Sequence, residues 1–166
     1  MAERRAIVSD KVLSYKGKFN THEMYKVIDS WFSENGFSGR EEVEHMEKIE
    51  KDHKTVEILY HPTKKFTPYA KAEIRMLIAM DNLTREVIEV DGRKTTLSNG
   101  DLKITIDGFV TTDYEGRMEM RPRNFLWRTI IDKLLKKNSM GEEYDGVVAS
   151  LVNQLYGELN SFLKGK

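Results

Sequence analysis

The 166-residue chain has no cysteine, only three prolines and no long hydrophobic run. The missing cysteine excludes thiol nucleophiles, Cys-ligated zinc, iron–sulfur clusters and disulfide frameworks together. The longest apolar run, Met76-Leu77-Ile78-Ala79-Met80, falls far short of the ~20 residues that a spanning helix needs. The opening Met-Ala-Glu-Arg-Arg leads into no apolar signal core, so the expectation is a cytoplasmic protein with no membrane span. Neither charge sign is in excess, with 27 Lys plus Arg against 27 Asp plus Glu, and the whole-molecule charge therefore selects neither nucleic acid nor membrane. No GxxxxGK(S/T) loop, GxGxxG turn, GxSxG elbow or HExxH pair occurs. Carboxylates are too plentiful for any two to stand out as an acid/base pair. The sequence therefore leans away from an enzyme and implies no cofactor.

What is there suits one domain over residues 1–166. A chain of this length buries roughly 70% of its unfolded surface and needs no metal or disulfide to hold it together. Charge is nevertheless polarised along it. Residues 37–62 hold seven acids and four bases, and residues 117–138 hold seven bases and two acids.

Leu13, Tyr15 and Phe19 alternate with Ser14, Lys16 and Lys18, which predicts a half-buried strand with a bulge at Gly17. Asn20 and Glu23 form a capping-box-like start, Met24, Val27, Ile28, Trp31 and Phe32 fall on one helical stripe, and Gly36 stands where a helix ends. From Glu41 to Arg121 the pattern is of strands. Ala70 to Asp81 alternates as one long strand, wet on one face at first and buried on both later. Val56, Ile58 and Tyr60 mark another, and 41–50 reads as strand or helix, with strand favoured. Asp91-Gly92 and Asn99-Gly100 each predict a two-residue hairpin turn. Two helices follow, one from Pro122 to about Gly141 and one from about Glu142 to Lys164. The class is α+β, an antiparallel meander packed on a long C-terminal helix.

Three features offer sites. The segment with Arg117, Arg121, Arg123, Arg128, Lys133, Lys136 and Lys137, interleaved with Phe125 and Trp127, could meet RNA phosphates and bases. The plainer reading is a solvated helix face with an Arg128, Asp132, Lys136 ladder. The last helix carries Ala149, Ser150, Asn153, Gln154, Gly157, Asn160 and Ser161 opposite its apolar stripe, with Glu158 the single charge between Gly146 and Leu163. Small uncharged residues suit close approach by a sheet or by a second copy in a homo-oligomer, and an ordinary amphipathic helix explains them equally well. His45 and His53 approach each other only if residues 41–50 and 55–61 form a hairpin. No metal site is expected of the four histidines.

This order of strand, helix, antiparallel strands and final helix, with Asp91-Gly92, Asn99-Gly100 and the stripe from Val147 to Phe162, resembles the helix-grip layout of the Bet v 1 and START-related superfamily. The resemblance implies a space between sheet and last helix that takes apolar ligands, or in some members a protein or RNA surface. The first expectation is thus a non-enzymatic module holding an apolar or amphipathic small molecule against Met76, Ile78, Met80, Leu151, Leu155 and Tyr156. An RNA- or ribosome-associated protein is the alternative, and a subunit docked through the last helix is another.

Overall fold

A strand shows every second side chain to the same face, so the alternating segments of this chain need one covered side. The computed structural model describes residues 3–39, 42–51, 53–112 and 140–165. They form β1 (Glu3–Phe19), α1 (Thr21–Glu34), β2 (Glu42–Glu50), β3 (His53–Tyr60), β4 (Thr63–Lys65), β5 (Ala70–Val90), β6 (Arg93–Thr112) and α2 (Met140–Lys164). The architecture is mixed α+β. Six antiparallel strands run in the order β1-β6-β5-β3-β2, with β4 added to β5 beside β3. The first strand pairs with the last, so β1 and β2 lie at opposite edges and α1 carries the chain from one to the other.

Register places Tyr60, Ile58 and Val56 of β3 beside Met76, Ile78 and Met80 of β5, and these beside Ile106, Ile104 and Leu102 of β6. All are buried and join one core cluster with Met24, Ile28, Trp31 and Phe32 of α1 and Val148, Val152, Leu155 and Leu159 of α2. Each fully buried side chain of this kind contributes about 1.5–3 kcal/mol. The α1 start follows the sequence reading. Asn20 is the N-cap, its side chain accepting from the Glu23 N–H at 3.1 Å, and Gly36 follows the helix at φ 76°.

The last helix meets the sheet at a gap in its inner row. Gly108 stands between Ile106 and Val110, and a Cβ there would lie 2.8 Å from Val152 Cγ2 and 2.9 Å from Val148 Cγ1. Arg5 holds Asp145 at 2.6 Å, Lys11 donates to Asn153 at 3.0 Å, and Tyr144 stacks on Phe66 with centroids 4.9 Å apart.

Four expectations are corrected. Asp91-Gly92 is a hairpin turn, with φ of 51° and 74°, but Asn99-Gly100 lies inside β6. Gly100 instead faces the β5 bulge between Asp81 and Thr84, where a Cβ would come 2.7 Å from the Asp81 carbonyl oxygen. The strand that starts at Ala70 consequently runs past Asp81 to Val90. The β1 irregularities fall between Ala6 and Lys11, opposite Gly108 and Ile106, and not at Gly17, which pairs in register with Gly100. Nor does burial deepen on both faces of β5. Leu77 is exposed and Ala79 half-buried, whereas Glu73 near the start is buried. The outer face is most covered where Arg4, Lys71 and Thr111 gather around Glu73.

Candidate functional site

The sheet extends past the start of α1, because β5 and β6 continue as a two-stranded ribbon to the turn at Asp91-Gly92. The β2–β3 hairpin rises beside this ribbon. Between them and the first turn of α1 lies a groove of about 720 Å³. Val56, Met80 and Leu83 form its apolar floor, Asn20, His22 and Tyr25 its helical wall, and Arg85, Thr96 and Ser98 its ribbon wall. The wall is tied where Thr21 Oγ1 and Ser98 Oγ share a hydrogen bond of 2.7 Å.

The third wall is the β2–β3 hairpin, whose register keeps His45 and His53 five positions apart although both border the groove. Pairing of His45 with Ile58 and of Glu50 with His53 sets His45, Glu47, Ile49, His53 and Lys54 along the groove. Glu47 accepts from Lys54 at 2.9 Å and lies 2.9 Å from His45 Nε2. These two hydrogen bonds, first that from Lys54, hold the Glu47 carboxyl below the usual glutamate range. Among the described lining residues Glu47 is the single acid, against Lys51, Lys54 and Arg85, so this part of the rim is cationic. Such a surface favours an anionic group over an apolar floor. Among the described residues no set of three His, Asp or Glu side chains is placed to hold a metal ion.

Of the residues expected to hold a ligand, Met80 borders this groove. Met76, Ile78, Leu151 and Leu155 are packed within the core, and Tyr156 lies half-buried against it, beneath the Lys11 ammonium at 4.8 Å. The expected RNA-contacting residues, Arg117, Arg121, Arg123, Arg128, Lys133, Lys136 and Lys137, lie outside the described residues. On α2, Ser150, Asn153, Gln154 and Ser161 are exposed, and among the described residues nothing stands within 4 Å of a Cβ built at Gly157. The close helix-to-sheet approach occurs at Gly108 of the strand instead.

The sequence expectation that His45 and His53 approach each other if a hairpin forms is not met, because the hairpin forms with the two histidines five positions apart. Leu83, Arg85, Thr96 and Ser98 carried no signal, because their positions depend on a ribbon that the Asn99-Gly100 reading cut short. No protein-family model matches the chain, and neither does any curated protein. Among the described residues no helix is long and apolar enough to cross a membrane.

Proposed function

We propose that the protein is a non-enzymatic cytoplasmic binding module for an amphipathic small molecule, with the polar end of the ligand in the groove between α1 and the two hairpins. The observation that carries this reading is a groove of about 720 Å³ whose apolar floor meets a cationic rim. Its volume falls within the ~300–1,000 Å³ of small-molecule sites, which combine apolar walls with a few placed polar groups. The topology supports a helix-grip arrangement, since β1 closes the meander against β6 and α2 packs on both. In that arrangement the apolar end of the ligand bears on Met80, where the groove joins the inner row. Ile78, Met76, Leu151 and Leu155 are packed behind Met80 in the core and Tyr156 lies half-buried against it, so of these six residues Met80, whose flexible thioether adapts to a ligand, is the one that meets it.

The test is a titration with the anionic amphipathic fluorophore anilinonaphthalene sulfonate, followed by displacement with oleate. Saturable binding that falls at least about tenfold in Leu83→Asp is expected, because a buried carboxylate disfavours both the apolar contact and the anion. Thr96→Trp, which fills the mouth from an exposed position, should lower affinity too. Circular dichroism should show both variants folded. Absence of saturable binding, or affinity unchanged in both folded variants, overturns the reading.

A further inference from the structure

The strand that ends the sheet beyond β3 has a composition that water alone does not explain. Among the described residues β2 pairs with β3 only. It nevertheless leaves Val43 58%, Met46 59% and Ile49 72% exposed. Strands at an edge are ordinarily blunted by charged side chains, bulges, prolines or brevity, and β2 intersperses Glu and Lys with these three exposed apolar residues. The opposite edge obeys this rule, since β1 is broken between Ala6 and Lys11 with Asp10 at φ 54°. In β2 the one register shift lies at its start, between Glu42 and Glu44, and from Glu44 to Glu50 the strand pairs without irregularity.

The hairpin register decides which backbone groups face outward. Two residues separate Glu50 from His53, so this closing pair is hydrogen-bonded, and Lys48, Met46 and Glu44 likewise direct their backbone groups to β3. Ile49, Glu47 and His45 direct theirs to the outer side. Antiparallel pairing with a second copy about a two-fold axis must use these outward residues. Of the registers that satisfy the condition, those centred on His45, Met46 or Glu47 pair the most of β2. Centring on Glu47 sets Glu47 against Glu47 and Glu44 against Glu50, and centring on His45 sets His45 against itself and Val43 against Glu47. Centring on Met46 sets Glu44 against Lys48 twice, His45 against Glu47 twice, Val43 against Ile49 twice and Met46 against Met46. Its one like-charge pair, Glu42 with Glu50, falls at the ends.

From this match we infer that β2 is a self-association edge: two copies of the chain join their sheets antiparallel through β2, in register about Met46. Opposite charges and apolar side chains directly across a strand pair favour association, and like charges there oppose it. The occupant is a second copy because reversal of β2 about Met46 sets Glu44 against Lys48, His45 against Glu47 and Val43 against Ile49, which an unrelated strand would match only by chance. The inference stands whether or not the groove holds a ligand.

The chain has no native cysteine, so an introduced one reports on its own position alone. Met46→Cys should form a disulfide-linked dimer rapidly under mild oxidation, because the Met46 pair is the non-hydrogen-bonded pair on the axis, with its side chains closest. Glu44→Cys, two residues from the axis, should cross-link far more slowly. Sedimentation equilibrium of the native chain should show a concentration-dependent dimer. Lys48→Glu should weaken it roughly tenfold, since symmetry counts each lost pair twice, and Glu44→Lys with Lys48→Glu should restore it. All these side chains are exposed, so circular dichroism should be unchanged. A chain that stays monomeric at high concentration overturns the inference. So do equal cross-linking rates at positions 44 and 46, and a dimer insensitive to Lys48→Glu or not rescued by the exchange.

Discussion

Gly108 shows how one absent side chain positions a helix. In a row where Leu102, Ile104, Ile106 and Val110 are all buried, it lets Val148 and Val152 come against the strand backbone. A Cβ at Gly108 would stand 2.8 Å from Val152 and 2.9 Å from Val148. Branched valines held on a helix have one strongly preferred rotamer and yield little. Gly108→Ala should therefore cost about 1–3 kcal/mol in urea unfolding, the range for an overpacked core. Val152→Ala in the same chain should recover part of the loss, because it removes one of the colliding methyls. Simple additivity of the two losses would refute this account. Gly100 has a similar role against the Asp81 carbonyl, which is why Asn99-Gly100 looks like a turn in sequence and is none. A glycine required by a neighbouring backbone and a glycine required by a positive φ are the same letter.

Among the elements, α1 was the most legible, and β2 was legible as a preference for strand that the structure bears out. The helix declares itself through an amphipathic stripe and a local cap, both of which involve residues within a few positions of one another. Its start can be tested there. Asn20→Ala removes the acceptor for the Glu23 N–H and should lower stability by about 1 kcal/mol in thermal or urea unfolding. Asn20→Asp should stay near the parent, since it keeps the acceptor and adds charge of the sign favoured at a helix start. Residues 41–50 could be read as helix or strand because Val43, Met46 and Ile49 recur every three positions. In the structure they are exposed on a strand, so core burial did not choose their spacing. Pairing with β3 settles the conformation, through contacts between His45 and Ile58 and their neighbours that no local window contains.

At the level of the whole molecule, Glu73 links the first strand to the last two. Its carboxylate receives Arg4 of β1 at 3.0 Å, Lys71 of its own strand at 3.2 Å and the Thr111 hydroxyl of β6 at 3.0 Å. Burial acts to raise its pKa, but the Thr111 and Lys71 hydrogen bonds and the charges of Lys71 and Arg4 outweigh it, leaving the carboxyl below the usual glutamate range. A carboxyl depressed on folding contributes stability that is fully present above its unfolded value, about 4.3, and is lost as pH falls through its folded value. The native chain should thus lose unfolding free energy as pH drops from about 5 towards 3. Glu73→Gln should be less stable at pH 7 by about 1–3 kcal/mol and show a flatter acid limb. Parallel acid limbs for the two proteins would show that Glu73 is not coupled to global stability.

By itself the sequence determined the α+β class, the course of α1, the inner row of β5 and the apolar stripe of the last helix. Each of these follows from periodicity, which is local, and from the free energy of covering an apolar face, which any suitable partner supplies. Only the tertiary structure decided that β1 closes against β6, that the ribbon runs on to Asp91-Gly92, and that His22, His45, His53 and Arg85 border one groove. These depend on strand register and on bulges opposite glycines, where a shift of one residue turns every side chain to the other face. Such choices are made by pairings between separate segments, from Glu3 with Thr112 to Thr84 with Asn99, and the pattern of any one segment is silent about them.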